Sequence, residues 1–550
     1  MRRVIRPFLL AYGLVLVWVV PAVAAPTWSA PVRVSGAGDA VGLFTPSVSI
    51  ADGGLGIEAW SETVAGTSVI RVAQHVGGGQ WTPFPGNISS TLPGDACDPF
   101  ASIDPAGNAL VVWAQFAGPG CGGGNQTILF ATRAAGAAAF GPPQVVGSSA
   151  PQGDWEPEAG RNAAGQIVIA WETGDGTSNF VFAAIGSPTT GFGAQQKLVT
   201  VPMSDSLFYL AAGIGSKGDA AVQWEDAAAT GNIFASFAPR GDSFQTTPTP
   251  VTTNTAPSSA FSGSIAVDAA GNVLSAFANY DGTASHFSSR YRAISNNTWQ
   301  TQQLIDTPAS PYSTSWVAVG LDDAGNATAA VVESDFTSST GTPYIRRLWT
   351  ANRPAGGAWQ GLDHLTDPLS SDDSSTSISV APSGAAVIAW GLATPQDSAQ
   401  AVYRPAGGSF GPLTPVGVGT ETSSSIAPSG DAAIAIQQGT PSAAFVSVLD
   451  TTPPAISSAT VPATATTGQP VAMAATGIDA WSGLAAGQPS WTFGDGATGA
   501  GATVSHSYAK AGTYSLTIGV IDGVGIAGPS ATRQIIVTDP PAPPTPKITL

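Results

Sequence analysis

Charge is scarce in this sequence. Asp, Glu, Lys and Arg make up 10% of its 550 residues, against about 25% in an ordinary soluble protein. The polar surface must therefore come from Ser, Thr, Gly, Asn and Gln. Basic residues are rarest: 19 Lys and Arg stand against 36 Asp and Glu, for a net charge of −17. That balance excludes nucleic-acid binding, which needs basic patches to neutralise phosphate, and it disfavours anionic membrane surfaces. Histidine is limited to His75, His286, His364 and His506, scattered along the chain, so no zinc-binding His pair exists. P-loop, nucleophile-elbow and EF-hand patterns are also missing. Amphipathic stretches of helical period are absent, and no apolar run after the first twenty-odd residues is long enough to span a bilayer of about 20 residues.

Glycine and proline are plentiful, at 66 and 44, which suits a turn-rich β protein. The N-terminus has the layout of an export signal. Arg2, Arg3 and Arg6 precede an apolar run from Phe8 to Val20, and Ala22-Val23-Ala24 fits a small-x-small cleavage site. Residues 1–24 are therefore expected to be a signal peptide. Its removal takes away three Arg and moves the charge from −17 to −20. The mature chain is expected to be secreted or held at the cell surface. In that setting the only cysteines, Cys97 and Cys121, are expected to form a disulfide. A hairpin folded between them brings its open ends together.

One pattern organises most of the chain: a turn containing Gly, then a strand ending in Trp. Its clearest copy is Ile103-Asp104-Pro105-Ala106-Gly107-Asn108-Ala109-Leu110-Val111-Val112-Trp113. Gly-x5-Trp recurs at Gly54/Trp60, Gly165/Trp171, Gly218/Trp224 and Gly384/Trp390. Gly271/Phe277, Gly325/Val331 and Gly430/Ile436 repeat it with another final residue, which makes eight copies. Each repeat holds four short apolar segments, a to d. Four strands in a period near 53 residues is the signature of a β-propeller. An aromatic marks the start of segment d at Trp81, Phe140, Phe192, Phe244, Trp299, Trp359 and Phe410. The last repeat lacks a segment d, and Trp28 to Val34 supplies the missing copy. The expected architecture is all-β: an eight-bladed propeller over residues 26–450, closed by strand 28–34, with seven blades as the alternative. The Trp residues are expected to pack between blades.

The pattern changes after Pro454. Trp491-Thr492-Phe493-Gly494-Asp495-Gly496 is followed by Tyr508-Ala509-Lys510-Ala511-Gly512-Thr513-Tyr514 and a strand that ends at Asp522. This stretch resembles the PKD (polycystic kidney disease) domain, with its W-x-F-G-D-G turn and Y-x-x-x-G-x-Y strand. The resemblance covers about 453–539 and implies an immunoglobulin-like β-sandwich that serves as a spacer or binding module. Asp495 and Asp522 are expected to shape their turns rather than bind metal. Residues 540–550 are Pro-rich and read as a linker or tail.

Chemistry is sparse. The Gly turns look at first like the Asp boxes of sialidases, but the spacing differs and several copies lack the Asp. Acidic residues do gather just past segment b: Glu62, Glu172, Glu225, Asp226, Asp281, Glu333 and Asp335. Others precede segment a: Asp95, Asp98, Asp154, Glu156, Asp205, Asp372 and Asp373. In an up-and-down blade the b–c and d–a connections share one end of the ring. The acids should thus form one face around the central channel, with Trp155, Phe208, Tyr209, Tyr312 and Trp316 nearby. This face attracts cations, so a divalent ion is conceivable there, although no cofactor is implied. The resulting expectation is a non-catalytic extracellular binding, adhesion or scaffold protein, its partner an extracellular or cell-envelope polymer or protein. The alternative is a secreted carbohydrate-active hydrolase or lyase that uses carboxylates on that face.

Overall fold

The computed structural model describes residues 27–542 apart from 37–39, 43–44, 90–91, 119, 122–125, 149–156, 228–230, 255–258, 296, 336–344, 367–368, 371–375, 393–396 and 439–442. The expected signal peptide, Asp154, Trp155, Glu156, Asp372, Asp373 and most of the Pro-rich tail lie outside the described residues. Every named element is a β-strand. Among the described residues no helix is long and apolar enough to cross a membrane.

Eight antiparallel sheets of four or five strands follow one another along the chain. Blade 2 is typical, with strands Ala96–Ile103, Ala109–Phe116, Gln126–Arg133 and Gln144–Ser148 hydrogen-bonded in sequence order. Blade 8 has only three consecutive strands, Glu421–Ile426, Ala432–Gln438 and Ala443–Leu449. Its fourth is Val32–Arg33, in register with Val446 and Phe445. Trp28 adds an antiparallel bridge to Leu449. A strand from the start of the propeller thus covers the sheet edge that its end would expose. Eight sheets settle the count that the sequence left between seven and eight.

The repeated turn has a local cause. Asp104 Oδ1 accepts the N–H groups of Ala106 and Asn108, and its Oδ2 accepts Asn108 Nδ2, at 2.8–2.9 Å. Asp268 and Asp322 repeat this pattern, and Asn162 takes over the Asp role in blade 3. Gly107 follows at φ 88°, a left-handed conformation that favours glycine. The strand that leaves the turn is buried along its whole length, since it lies in the middle of its own sheet and between two neighbours.

Those neighbours are held by the final aromatic of strand b. Trp113 packs among Ala59, Ile70 and Val72 of blade 1, Trp171 among Leu110, Val112 and Ile128 of blade 2, and Trp224 among Val168, Val181 and Leu198 of blade 3. Blades 2, 3 and 4 therefore each drive a Trp of strand b into the preceding blade. Burying one such ring contributes roughly 3–5 kcal/mol against truncation to Ala.

The innermost strands are joined differently. They fan out around the axis, and their outward N–H groups are met by serines of the preceding blade. Ser47 Oγ accepts from Ala101 N, Ser49 Oγ from Ile103 N, and Ser264 Oγ from Val319 N. Ser423 and Ser425 of blade 8 accept from Val48 and Ile50 of blade 1 in the same way. The closing seam therefore uses the same kind of bond as the blade 1–2 and blade 5–6 seams.

Cys97 and Cys121 are joined by a disulfide, their Cα atoms 6.0 Å apart, which ties the start of strand a to the b–c connection of blade 2. After blade 8 the chain enters a two-sheet sandwich, with three strands in one sheet and five in the other. Its core holds Trp491, Phe493, Tyr508, Leu516 and Ile518. Asp495 caps its turn at Ala497 N and meets His506 Nε2 at 2.7 Å.

Candidate functional site

The axial cavity, of about 370 Å³, is lined by the innermost strands, mostly Ala, Gly, Ser and Ile side chains. Its charged lining residues are Arg161 and Asp323. Arg161 reaches across from blade 3 and donates to the carbonyls of Ala101 in blade 2 and Ser424 in blade 8, both at 2.9 Å. Burial lowers its pKa to about 10, which leaves it charged at neutral pH.

The seven acidic candidates lie on strand b or just beyond it, one strand farther from the axis than the cavity wall. Glu62 is buried and paired with Arg71 Nη2 at 3.0 Å. Glu172 is buried against blade 4, where burial outweighs a bond from the Leu207 N–H and raises its pKa to about 8. Glu225 is raised to about 7 by burial and by Asp226 next to it. Asp281 turns the b–c hairpin of blade 5, accepting from Thr283 and Ala284, and these bonds hold its pKa well below the ordinary range. Asp335 ends strand b of blade 6, in register with Tyr312. Only Glu225 with Asp226, and Glu333 with Asp335, share a blade. Of the acids before segment a, Asp95 accepts the Ser68 N–H and so braces two loops.

One constellation does form, at the rim between blades 5 and 6. Glu333 lies on strand Ala327–Asp335, between Thr314 on one neighbouring strand and Arg347 on the other. It is buried, and its carboxyl lies near that of Asp306, the last residue of strand Gln303–Asp306 in blade 5. Burial and the nearby Asp306 carboxyl raise the Glu333 pKa to about 7. Arg347 lies over the Tyr312 ring, 3.8 Å from its centre. Trp316 stands exposed on the same strand as Tyr312. His286 completes the rim: Nδ1 meets Thr307 Oγ1 at 2.8 Å and Nε2 meets Asp281 Oδ2 at 3.0 Å.

Sequence reasoning named Glu333, Asp281, Tyr312 and Trp316 but missed Asp306 and Arg347. Neither carries a motif. Their signal is positional: Arg347 meets Glu333 through the register of strands b and c in one blade, and Asp306, at the end of a d strand, meets it only once adjacent blades are docked. Glu58 was also missed; it is wholly buried in blade 1 with neither carboxylate oxygen bonded, and burial raises its pKa well above the usual range.

No curated protein matches the chain by sequence. Among solved structures, the chain is similar to a PL25 polysaccharide lyase, an ulvan lyase, at 14% identity and TM-score 0.38, over 71% of this chain and 96% of that one. It is similar to the polysaccharide lyase Uly1 at 8% identity and TM-score 0.41, over 76% and 92%. It is also similar to an α-L-arabinanase of Penicillium chrysogenum at 11% identity and TM-score 0.38, over 77% and 99%. Likeness this distant concerns the fold and carries no assignment of chemistry. The expectation of a non-catalytic adhesion or scaffold protein is nonetheless corrected. The proteins named above are enzymes of polysaccharides. That expectation also had the propeller present an acidic face, whereas Glu62, Glu172, Glu225 and Glu333 are buried. Residues 451–537 match the PKD domain family, so the chain is a β-propeller of no named family followed by a PKD domain.

Proposed function

We propose that this chain is a secreted enzyme that cleaves a polysaccharide at the rim between blades 5 and 6. The carrying observation is the Glu333–Asp306 carboxyl pair. A glycosidase needs its two carboxyl groups about 5–9.5 Å apart, with room for a sugar or a water between them. Two carboxyls close enough for one to raise the pKa of the other leave little such room and act as one acid. This favours elimination over hydrolysis. In such a step a base removes the proton next to a uronate carboxylate, a C=C bond forms, and the C–O bond to the leaving sugar breaks. Glu333 gives its proton to the departing oxygen, and a pKa near neutral suits that task. Arg347 offers positive charge to the uronate, His286 oriented by Asp281 is the candidate base, and Trp316 offers a face for a sugar ring.

The test is turnover of polyuronides and arabinans by the full chain. Elimination creates unsaturated ends that absorb in the ultraviolet, while hydrolysis creates reducing ends alone. Glu333→Gln should lower turnover about 100-fold or more with unfolding behaviour retained. Absence of turnover on every polymer, or full activity in Glu333→Gln, would sink the proposal. Secretion is part of the same reading, and the N-terminal residue of protein recovered from the medium checks it.

A further inference from the structure

The PKD domain does not hang free of the ring. Its loop 479–483 enters the opposite end of the propeller from the acidic rim, beside the a–b turns of blades 1 and 8 and the c–d connection of blade 1. Trp481 is buried there against Trp60 and Ala433. Its ring stacks on His75 at 4.6 Å, and its Nε1 donates to Asp431 Oδ2 at 3.1 Å.

Directly beside this wedge, three carboxylates converge. Asp450 is the residue after the last strand of blade 8, Asp479 opens the wedge loop, and Asp522 follows the strand Gly512–Gly519 of the sandwich. One oxygen from each lies within 4.8 Å of the other two. Part of this group serves the backbone. Asp522 Oδ1 accepts from Val524 N and Ile526 N. Asp479 Oδ2 accepts from Trp481 N and Gly483 N, and Asp450 Oδ2 accepts from Ser482 N. The remaining oxygens are the informative ones. Asp522 is 0% exposed, and its Oδ2 meets no donor. Asp479 Oδ1 is also closed off from water and meets none. A buried carboxylate oxygen without an N–H or O–H partner, in a group of three carboxylates, lacks what burial of charge requires.

We propose that Asp450, Asp479 and Asp522 bind one divalent cation, Ca²⁺, which fastens the PKD domain to the end of the propeller. The donor set is oxygen alone, which selects a hard ion over zinc or copper. Ca²⁺ bonds oxygen at about 2.3–2.6 Å, so oxygens on opposite sides of it stand about 4.6–5.2 Å apart. Mg²⁺, at about 2.0–2.1 Å, demands a tighter set. One ligand comes from the propeller and two from the sandwich, so the ion bonds across the junction.

The experiment uses the full chain, stripped with chelator and titrated with CaCl₂ by calorimetry, with MgCl₂ as a second arm. One Ca²⁺ per chain should bind, Mg²⁺ more weakly, and protease cleavage between Asp450 and Ala455 should slow on binding. Asp522→Asn and Asp479→Asn should each lower Ca²⁺ affinity at least about tenfold. If those variants fail to fold, Tb³⁺ replaces them as the probe of the unaltered chain. Its luminescence should be excited through Trp481, displaced by Ca²⁺, and weakened in Trp481→Phe without loss of Ca²⁺ stoichiometry. No Ca²⁺ uptake, unchanged uptake in both Asn variants, or Tb³⁺ emission that Ca²⁺ does not displace would each overturn the proposal.

Discussion

Asp104 and Glu172 are both acidic and both well buried, yet their partners differ. Asp104 has three donors to its carboxylate and remains a turn-former. Asp104→Ala should cost about 1–2 kcal/mol, since it removes three hydrogen bonds to part-buried donors; urea unfolding reads this. Glu172 has the single Leu207 N–H, and burial wins, so its pKa rises to about 8 in the fold. The folded state then holds a proton that the unfolded chain releases near pH 4.5. The stabilisation from this group is fully present below that pH and is lost as pH rises through about 8. Glu172→Gln should flatten the fall in stability between pH 5 and pH 9. An unchanged slope in unfolding midpoints across that range would contradict the assignment.

Strands were legible at different depths. Strand b announced itself through Gly-x5-Trp, because a left-handed turn and a fully buried strand leave few residue choices. Strand d was less clear. Phe140 was taken as its first residue, but pairing starts at Gln144; the aromatic packs against Phe84 of blade 1 just ahead of the strand. The N-terminal strand is short, with two residues in register, and covers the edge of Ala443–Leu449. Deleting residues 27–34 should expose that edge, lower the unfolding midpoint and promote self-association in size-exclusion chromatography. Reducing the Cys97–Cys121 bond should cost about 3 kcal/mol in the chain-entropy model, read as a shift of midpoint with reductant.

At the scale of the molecule, the two parts are joined by more than a linker. Trp481 fills a gap between blade 8 and blade 1, the seam where the ring closes, and so the PKD domain covers the ring's junction. Trp481→Ala should free the sandwich to swing, seen as a larger radius of gyration in solution scattering with the propeller transition retained. The same variant should leave turnover at the blade 5–6 rim unaltered, because the wedge and the rim lie at opposite ends of the ring.

The amino-acid order by itself determined the four-stranded repeat, the turn chemistry, the identity of the PKD domain and the disulfide partners. Each of these depends on neighbours in the chain or on a repeat that the chain states eight times. Only the tertiary structure decided where charge converges. Glu333 with Asp306, and Asp450 with Asp479 and Asp522, come from different blades or different domains. The distances between such residues depend on how sheets dock, and docking is governed by apolar shape that leaves no local pattern. Burial then decides which of these carboxylates keep a proton, and exposure is a property of the assembled ring.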